Sequence, residues 1–472
     1  MNMIAFISAK SRGCFWSCRC VASAGLLLIG VLAAGAAIGG GASSDAERRS
    51  RVALVRVSDR VIVDEAQEIR SRPMRLTRKP HAYRALEAGA EFVETDSVLG
   101  DAFDIPLHDA GVKMIFNCTN LVDLQAAVDL GAKYIRTDTP EAVQKGLADM
   151  EEARRRPVLC NEFRIRDPYV LADPATKTYY MYETRSPYFG APYARGVNVR
   201  MSRDLETWSP LHEVMSVPTN LQCRTVWAPE VHIYKGAYYL FTTLSFYPSP
   251  SDNIPILTDD PAWKPTDSIK PTRRGVWVFK ADSPLGPFRP VADRSVTPQN
   301  WMALDGTLLV DGGKPYMIFC HEWIQTKFGR MDIAEMADDL SRFVGEPKVL
   351  FDSRVVGPEG GHVTDGCFCY RSPKTGRLFM IWSTFYRRNY TVFSCESANG
   401  GAAGPWIGQK LIFERNGGHG MLFRTFDGGL KLVLHQPERR GYERVAFFDV
   451  MDGDDGLSVV QPDGRQGKKE GE

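Results

Sequence analysis

The sequence lacks an excess of charge of either sign. Its 58 lysines and arginines nearly balance its 57 aspartates and glutamates, which gives a formal net charge of +1. Proteins that bind nucleic acids or anionic membrane surfaces usually carry a clustered excess of basic residues. The composition therefore argues against a nucleic acid as a partner. A hydrophobic fraction of 44% is enough for a globular protein with a large core.

The sequence also lacks a cysteine framework. Three of its ten cysteines lie within the first 20 residues, and the other seven are scattered and odd in number. Cys367 and Cys369 would share one face of a strand, but no second pair stands at the spacing of a zinc site. We expect buried free thiols, with disulfides as the alternative if the protein is exported.

A long uncharged apolar run occurs at residues 21–40, after Lys10, Arg12 and Arg19 and before a stretch of small residues. This arrangement predicts a signal peptide or a membrane anchor over residues 1–45. The run is rich in alanine and glycine and stands at the lower limit for crossing a bilayer. The predicted location is therefore secreted or periplasmic, with anchoring through the N-terminus as the alternative. The charged residues 462–472 predict a disordered tail.

Residues 52–155 contain two units in which an amphipathic helix ends in glycine and a β-rich run ends in Thr-Asp. The segment resembles part of the glycerophosphodiester phosphodiesterase barrel, whose motifs match the following residues: Glu94, Asp96, His108, Asp109, Thr137, Asp138, Thr139 and Pro140. The early His-Arg pair and the middle of the barrel are missing, since an eight-stranded barrel needs about 250 residues. We interpret the segment as a truncated α/β accessory unit in which Glu94 and Asp96 are ordinary strand-end acids. A working metal-dependent phosphodiesterase is the alternative.

From residue 156 to residue 461 the chain repeats a pattern of strand, Gly-, Lys- or Asp-containing turn, and aromatic-rich strand. The copies start roughly 55 to 75 residues apart, which suits one four-stranded blade with its loops. Five copies predict an all-β fold, a five-bladed β-propeller that follows the short α/β segment. The long polar segment 248–274 is expected to line the rim of its central funnel.

Each predicted inner strand begins with a residue whose side chain can transfer a proton or bind an ion. These residues are Asp167, Glu230, Asp305, Asp365 and His419. Because the innermost strands of a propeller run along its axis, we expect all five to face one funnel. Convergent carboxylates are costly to desolvate, so a fold retains them mainly where they catalyse a reaction or bind an ion.

Four motifs, in this order, resemble glycoside hydrolase family 43: RDPYV at Asp167, VWAPEVH at Glu230, LDGTLLVD at Asp305 and TDGCFCY at Asp365. The resemblance implies an inverting glycosidase that acts on glycans containing arabinose, xylose or galactose. It implies that Asp167 is the general base and that Asp305 raises the pKa of the general acid and orients it. An inverting enzyme needs its acid and base about 6.5–9.5 Å apart, and opposite strands of a funnel can supply that span.

The fourth blade departs from the family pattern, in which a glutamate precedes Gly-Pro or Ala-Pro. Here Asp365 is followed by Gly366 and Cys367, and its shorter side chain withdraws the carboxyl group by about one C–C bond. Asp365 is the predicted acid, and Glu230 and Glu359 are the alternatives. A site without a productive acid would instead make the protein a carbohydrate-binding propeller that has lost catalysis.

Other residues are predicted to bind the substrate, an oligosaccharide or polysaccharide: Glu230, Trp227, His321 and Arg166, with Trp301 and His362 supported only by their neighbours in sequence. Structural alternatives exist for three of them. Trp227 could be a plug between blades, His321 could pair with Glu322, and Arg166 could cap a strand. The sequence does not indicate an oligomeric state.

His419 matches the axial histidine of the family. The resemblance implies either a site for a water-coordinated calcium ion or a simple hydrogen-bonding role at this position. The chemistry itself is expected to need no cofactor.

Overall fold

The computed structural model describes residues 52–76, 84–85, 87–96, 112–118, 123–124, 127–128, 132–153, 155–184, 196–218, 221, 223–246, 252–264, 271–439 and 441–460. The predicted leader and tail lie outside these ranges, and so do His108 and Asp109. Within the ranges, no helix combines the length and the hydropathy that crossing a membrane requires.

The N-terminal unit is a six-stranded mixed sheet with the strand order β2-β1-β6-β5-β4-β3. Strands β3 to β6 are parallel neighbours, whereas β1 runs antiparallel to both β2 and β6. This mixed order confirms the predicted α/β character and differs from the all-parallel sheet of a closed barrel. Its elements are β1 (Ala53–Arg56), β2 (Ile62–Val63), α1 (Glu65–Glu68), β3 (Met74–Leu76), β4 (Phe92–Thr95), β5 (Lys113–Asn117), β6 (Tyr134–Thr137) and α2 (Pro140–Ala153).

The carboxylates that resemble phosphodiesterase ligands are engaged by basic and amide side chains at the ends of these strands. Glu94 lies 2.7 Å from both Arg75 and Arg136. Asn117 donates to Glu94 at 2.8 Å and to Asp96 at 2.6 Å. The two acids therefore have the contacts of structural strand-end residues.

The remaining strands form five four-stranded antiparallel sheets arranged as blades, which confirms the predicted propeller. A two-stranded sheet of β7 (Val158–Leu159) and β11 (Thr207–Trp208) precedes and flanks the first blade. Blade 1 comprises β8 (Tyr169–Asp173), β9 (Thr178–Thr184), β10 (Gly196–Ser202) and β12 (His212–Ser216). Blade 2 comprises β13 (Cys223–Tyr234), β14 (Ala237–Phe246), β15 (Arg274–Ala281) and β16 (Arg289–Pro290).

Blade 3 comprises β17 (Ala303–Asp311), β18 (Lys314–His321), β19 (Arg330–Glu335) and β20 (Lys348–Asp352). The helix α3 (Trp323–Thr326) follows β18, and a 3-10 helix (Ser353–Val356) follows β20. Blade 4 comprises β21 (Asp365–Arg371), β22 (Leu378–Tyr386), β23 (Asn389–Ser397) and β24 (Trp406–Phe413). Blade 5 comprises β25 (Gly418–Arg424), β26 (Leu430–Gln436), β27 (Arg444–Gly453) and β28 (Gly456–Val459).

The hairpins form where the turn residues allow positive φ. Lys235 and Gly236 join β13 to β14 with φ of 47° and 78°, and Gly312 and Gly313 join β17 to β18 with φ of 56° and 79°. Two consecutive positive φ angles are typical of the tight turns whose twist matches antiparallel strands. Between the turns, β14 and β17 are almost wholly buried, because neighbouring blades cover both of their faces.

Each inner strand has an irregular residue with a left-handed backbone near its start. The φ angles lie between 46° and 54° at Asp167, Ala228, Asp305, Gly366 and His419. In blades 2 to 5 the strand register also shifts there, as in a β-bulge. The equivalent residues in blades 2 and 4 are therefore Ala228 and Gly366. This corrects the expectation that Glu230 and Asp365 are equivalent to Asp167, since Glu230 lies two residues later and Asp365 one residue earlier.

No strand of blade 5 is shared with blade 1 in the described sheets, so the boundary between these two blades is joined mainly by side chains, together with a backbone hydrogen bond from Ile165 N–H to the carbonyl of Glu443 at 3.3 Å. We call this boundary the seam. Aromatic rings fill part of it: Trp208 stacks on Phe447 at 6.3 Å, and Tyr179 stacks on Phe426 at 4.2 Å. Such pairs contribute about 0.5–1.5 kcal/mol each beyond their buried area.

The other part of the seam is ionic. The carboxylate of Glu443, which is 0% exposed, lies 2.8 Å from Arg164 Nε and 3.3 Å from Arg166 Nη1. Glu438 also binds Arg166, at 2.9 Å. The loop between β26 and β27 of blade 5 thereby binds the segment that leads into β8 of blade 1.

All seven cysteines of the described residues are free thiols. Five of them are buried, as predicted: Cys118, Cys223, Cys320, Cys367 and Cys395. Cys160 and Cys369 are partly exposed.

Replacing Glu443 with glutamine should destabilise the propeller. The substitution leaves Arg164 without its buried counter-charge and leaves Arg166 with Glu438. We expect a loss of about 3 kcal/mol in the free energy of unfolding, at the low end for buried pairs, because the arginines are partly exposed. Urea denaturation measures the loss. The control, Glu396→Gln, removes a partly exposed pair with Arg377 and should cost at most about 1 kcal/mol. Equal losses in the two variants would contradict the role of the seam.

Candidate active site

The inner strands of blades 1, 3, 4 and 5 meet at the funnel. His419 Nδ1 lies 3.4 Å from Asp167 Oδ1 and 3.8 Å from Asp305 Oδ2. The backbone N–H of Gly366 donates to Asp305 Oδ2 at 3.1 Å. The structure thus brings together the predicted base, the predicted pKa-raising aspartate and the residue that follows Asp365.

Gly366 makes this close approach possible. Its φ is +52°, and a Cβ atom there would lie 2.8 Å from both Cα and Cγ of His419. Only glycine fits both the backbone conformation and the space. The fourth-blade motif therefore places Asp365 directly beside the axis.

Asp167 is held as an ionised carboxylate. His435 Nδ1 lies 3.2 Å from both the backbone nitrogen and Oδ1 of Asp167. Arg166 Nε lies 3.7 Å from that oxygen. Burial alone would raise the pKa of Asp167, but His419, Arg166 and His435 together hold it well below its usual value. The group is therefore charged and able to accept a proton.

Asp305 and Asp365 are shifted in the opposite direction. Burial, followed by the charge of Asp167, raises the pKa of Asp305 to about 8. Burial, followed by the charge of Asp305, raises the pKa of Asp365 well above its usual value. Two adjacent buried carboxyl groups do not both ionise readily, so the pair retains a proton near neutral pH. Tyr390 donates to Asp365 Oδ2 at 3.0 Å and orients it.

One ionised and one protonated carboxyl group in the same funnel can act as a general base and a general acid. The sequence model for the glycosyl hydrolases family 43 matches residues 155–457. The chain belongs to glycosyl hydrolases family 43. This membership confirms the predicted class, a glycoside hydrolase, on the predicted fold.

Two relatives of this family-43 protein are arabinan-degrading enzymes by name. It is 24% identical over 223 residues to an Aspergillus clavatus protein described as "Probable arabinan endo-1,5-alpha-L-arabinosidase A", covering 47% of the present chain and 58% of that relative. The endo-arabinase from Bacteroides thetaiotaomicron is 30% identical, with a TM-score of 0.52, and the match covers 63% of this chain and 98% of that one. The chain thus spans less than two thirds of its Aspergillus relative.

Neither alternative acid has a suitable environment. Glu230 is 6% exposed, and its Oε2 lies 2.9 Å from His232 Nε2 within the same strand. Glu359 is about half exposed and lies 2.8 Å from Arg387. Arg387 and Tyr386 donate hydrogen bonds that lower the pKa of Glu359, so this carboxyl group holds its proton poorly. The contacts therefore favour Asp365.

Trp227 occupies the position in blade 2 that Asp365 occupies in blade 4. The guanidinium group of Arg274 lies 4.3 Å from the ring of Trp227 and makes an ion pair with Glu322. One face of the indole is therefore covered by a cation. A role for the other face in binding sugar stays a prediction.

His321 lies inside blade 3, and direct contact between His321 and substrate stays a prediction. It is fully buried, its Nε2 lies 2.8 Å from Gln325 Oε1, and its ring stacks on Trp301 at 4.2 Å. Its polar partner is Gln325, whereas Glu322 pairs with Arg274. The sequence placed His321 at the end of a strand but could not show which face of blade 3 the strand end buries.

Arg166 has a larger role than a strand cap. Its Nη1 binds Glu438 and Glu443, and its Nε faces Asp167. Arg166 therefore links the ion pairs of the seam to Asp167. Direct contact between Arg166 and substrate stays a prediction.

A calcium ion at His419 would need water molecules for most of its coordination. Its Nδ1 already faces Asp167 and Asp305, and the described part of the chain contains no group of three or more histidine, cysteine, aspartate or glutamate side chains placed to hold a metal. A cation here would have one imidazole ligand, and water would have to supply the rest.

Sequence reasoning missed two residues of the site. His435 ends the second strand of blade 5 and links Asp167 to Glu438, which lies 2.6 Å from its Nε2. The ring of Tyr390 stacks on His435 at 5.7 Å, and its hydroxyl group donates a hydrogen bond to Asp365. A polar residue that ends an apolar second strand, as in LKLVLHQ, was the available signal for His435.

Two substitutions should move the alkaline limit of activity in opposite directions. Asp305→Asn removes a negative charge that raises the pKa of Asp365, so Asp365 loses its proton at lower pH and the limit falls. Tyr390→Phe removes a hydrogen bond that favours ionised Asp365, so its pKa and the limit both rise. The pH profile of kcat/KM measures both effects.

The matched control for these profiles is Tyr386→Phe. It removes a hydroxyl group that donates to Glu359 at 3.0 Å, and it should leave the alkaline limit unchanged. Shifts of Asp305→Asn and Tyr390→Phe in the same direction would exclude Asp365 as the acid.

Proposed function

We propose that this protein is an inverting glycosidase that cleaves arabinose-, xylose- or galactose-containing glycans, with arabinan as the first substrate to test. The observation that carries the proposal is the set of carboxyl groups around one funnel. His419 lies 3.4 Å from Asp167 and 3.8 Å from Asp305, and Asp305 accepts a hydrogen bond from the N–H of Gly366, the residue after Asp365. The pKa of Asp167 is lowered and that of Asp365 is raised, as a base and an acid require. The names of the two relatives support arabinan in particular.

In this proposal Asp167 accepts a proton from a water molecule. The water oxygen forms a bond to the anomeric carbon while the bond to the leaving oxygen breaks on the opposite face. Asp365 gives its proton to the departing oxygen. One displacement inverts the configuration at the anomeric carbon. Asp305 keeps Asp365 protonated, and Arg166, His419 and His435 keep Asp167 ionised.

The experiment is hydrolysis of aryl α-L-arabinofuranoside, β-xyloside and β-galactoside together with linear arabinan. Asp167→Ala serves as the control and should abolish turnover, because it removes the group that accepts the proton of the attacking water. Proton NMR of the first product should show inverted configuration. Retained configuration, or full activity of Asp167→Ala, would overturn the mechanism.

A carbohydrate-binding propeller without catalysis is the second candidate, and the shorter Asp365 favours it. An aryl leaving group needs little protonation, whereas the sugar leaving group of a polysaccharide needs much. We therefore expect Asp365→Asn to reduce turnover of arabinan far more than turnover of the aryl glycoside. Wild-type protein that binds arabinan but hydrolyses none of the substrates would establish the binding function instead.

Calcium at His419 is proposed only as an electrostatic accessory, since the carboxyl groups carry both proton transfers. Dialysis against EDTA should therefore leave turnover of the aryl substrate nearly unchanged. A large loss that added calcium restores would contradict this view. Location outside the cytoplasm, with or without an N-terminal anchor, is likewise proposed from the apolar leader, because polysaccharide substrates lie outside the cell.

A further inference from the structure

A second polar cavity of about 430 Å³ lies beside the funnel, on the same face of the propeller. We call it the rim groove. Its walls come from three segments: the rim loop at residues 258–261, the stretch from α3 to β19 at residues 326–330, and the end of β20 with the 3-10 helix at residues 352–354. Its volume falls in the range of small-ligand sites.

The rim groove is held in shape by hydrogen bonds between its walls. Lys327 Nζ lies 2.6 Å from Asp260 Oδ2. Leu257 N–H donates to the carbonyl of Gln325 at 2.7 Å, and the Gln325 amide donates to the carbonyl of Pro255 at 2.8 Å. The rim loop is therefore fixed to blade 3, and the cavity exists before any ligand binds.

The charges that line the groove balance one another. They comprise three acids and three bases: Asp259, Asp260, Asp352, Lys327, Arg330 and Arg354. Asp260 pairs with Lys327, and Asp352 pairs with Arg354 at 2.5 Å. Balanced charge gives no net attraction for an ion, yet it offers many donors and acceptors to hydroxyl groups. The lining suits a neutral, hydroxyl-rich ligand.

The groove adjoins the segment that carries the acid. The carbonyl of Arg330 accepts a hydrogen bond from Thr364, the residue before Asp365, at 3.1 Å. The carbonyl of His362 accepts one from the N–H of Gly329 at 2.6 Å, and the ring of Phe328 stacks on His362 at 4.9 Å. Because the acid protonates the leaving group, the groove lies on the leaving-group side of the funnel.

We infer that the rim groove binds a neutral sugar residue of the polysaccharide, beyond the bond that is cleaved and on its leaving-group side. This inference rests on the proposed function. It predicts that the protein prefers polysaccharides to short glycosides, because a substrate with only an aryl leaving group does not extend to the groove.

The test compares the double variant Asp259→Ala/Arg354→Ala with the wild type. The variant conserves net charge, and the Arg354 side chain is 66% exposed, so the fold should tolerate its removal. We expect KM for linear arabinan to rise about fivefold because hydrogen bonds to the substrate are lost. The value of kcat/KM for the aryl arabinofuranoside should stay unchanged and serves as the internal reference. The control Lys314→Ala/Glu335→Ala removes an ion pair at the opposite end of blade 3 and should behave as wild type.

An unchanged KM for arabinan in the groove variant would overturn the inference, and so would an equal loss on both substrates. Wild type that hydrolyses neither substrate would refute the proposed function without deciding the groove. In that case calorimetric titration of the wild type and the groove variant with a neutral arabino-oligosaccharide decides it. Weaker binding to the variant supports the groove, and equal binding refutes it.

Discussion

The ionic part of the seam is the interaction on which the rest of the site depends. Glu443 and Glu438 of blade 5 bind Arg166, whose neighbour in sequence is Asp167, and His435 joins Glu438 to Asp167. The contacts that close the ring of blades are therefore also the contacts that orient Asp167. Closure of the fold and formation of the active site are one event, not two.

The same arrangement explains how three similar carboxyl groups obtain different roles. Asp167 is surrounded by an arginine and two histidines, whereas Asp305 and Asp365 are influenced mainly by burial and then by a neighbouring carboxylate, Asp167 for Asp305 and Asp305 for Asp365. The pKa of Asp167 therefore falls, and the pKa values of the other two rise. The propeller places them on different strands, so each can have its own set of partners at short range.

The sequence predicted the blades because alternating hydrophobicity and Gly- or Asp-containing turns are local signals. It could not show which residue of each inner strand adopts a left-handed backbone: Ala228 carries no such signal, and so Glu230 was counted as equivalent to Asp167. The seam was missed for another reason. Glu438 and Glu443 lie in a charged loop that resembles solvated surface, and their burial depends on a blade that begins far earlier in the chain.

The left-handed backbone at the funnel has an evolutionary consequence. Asp167, Ala228, Asp305 and His419 hold a conformation that costs a non-glycine residue roughly 1–2 kcal/mol. Glycine, already present at position 366, adopts it without that cost. Substitution by glycine at these positions would relieve that backbone strain while it removes the carboxyl groups of Asp167 and Asp305 and the imidazole of His419. Without selection that retains those side chains, the propeller would keep its fold and lose the chemistry of its funnel.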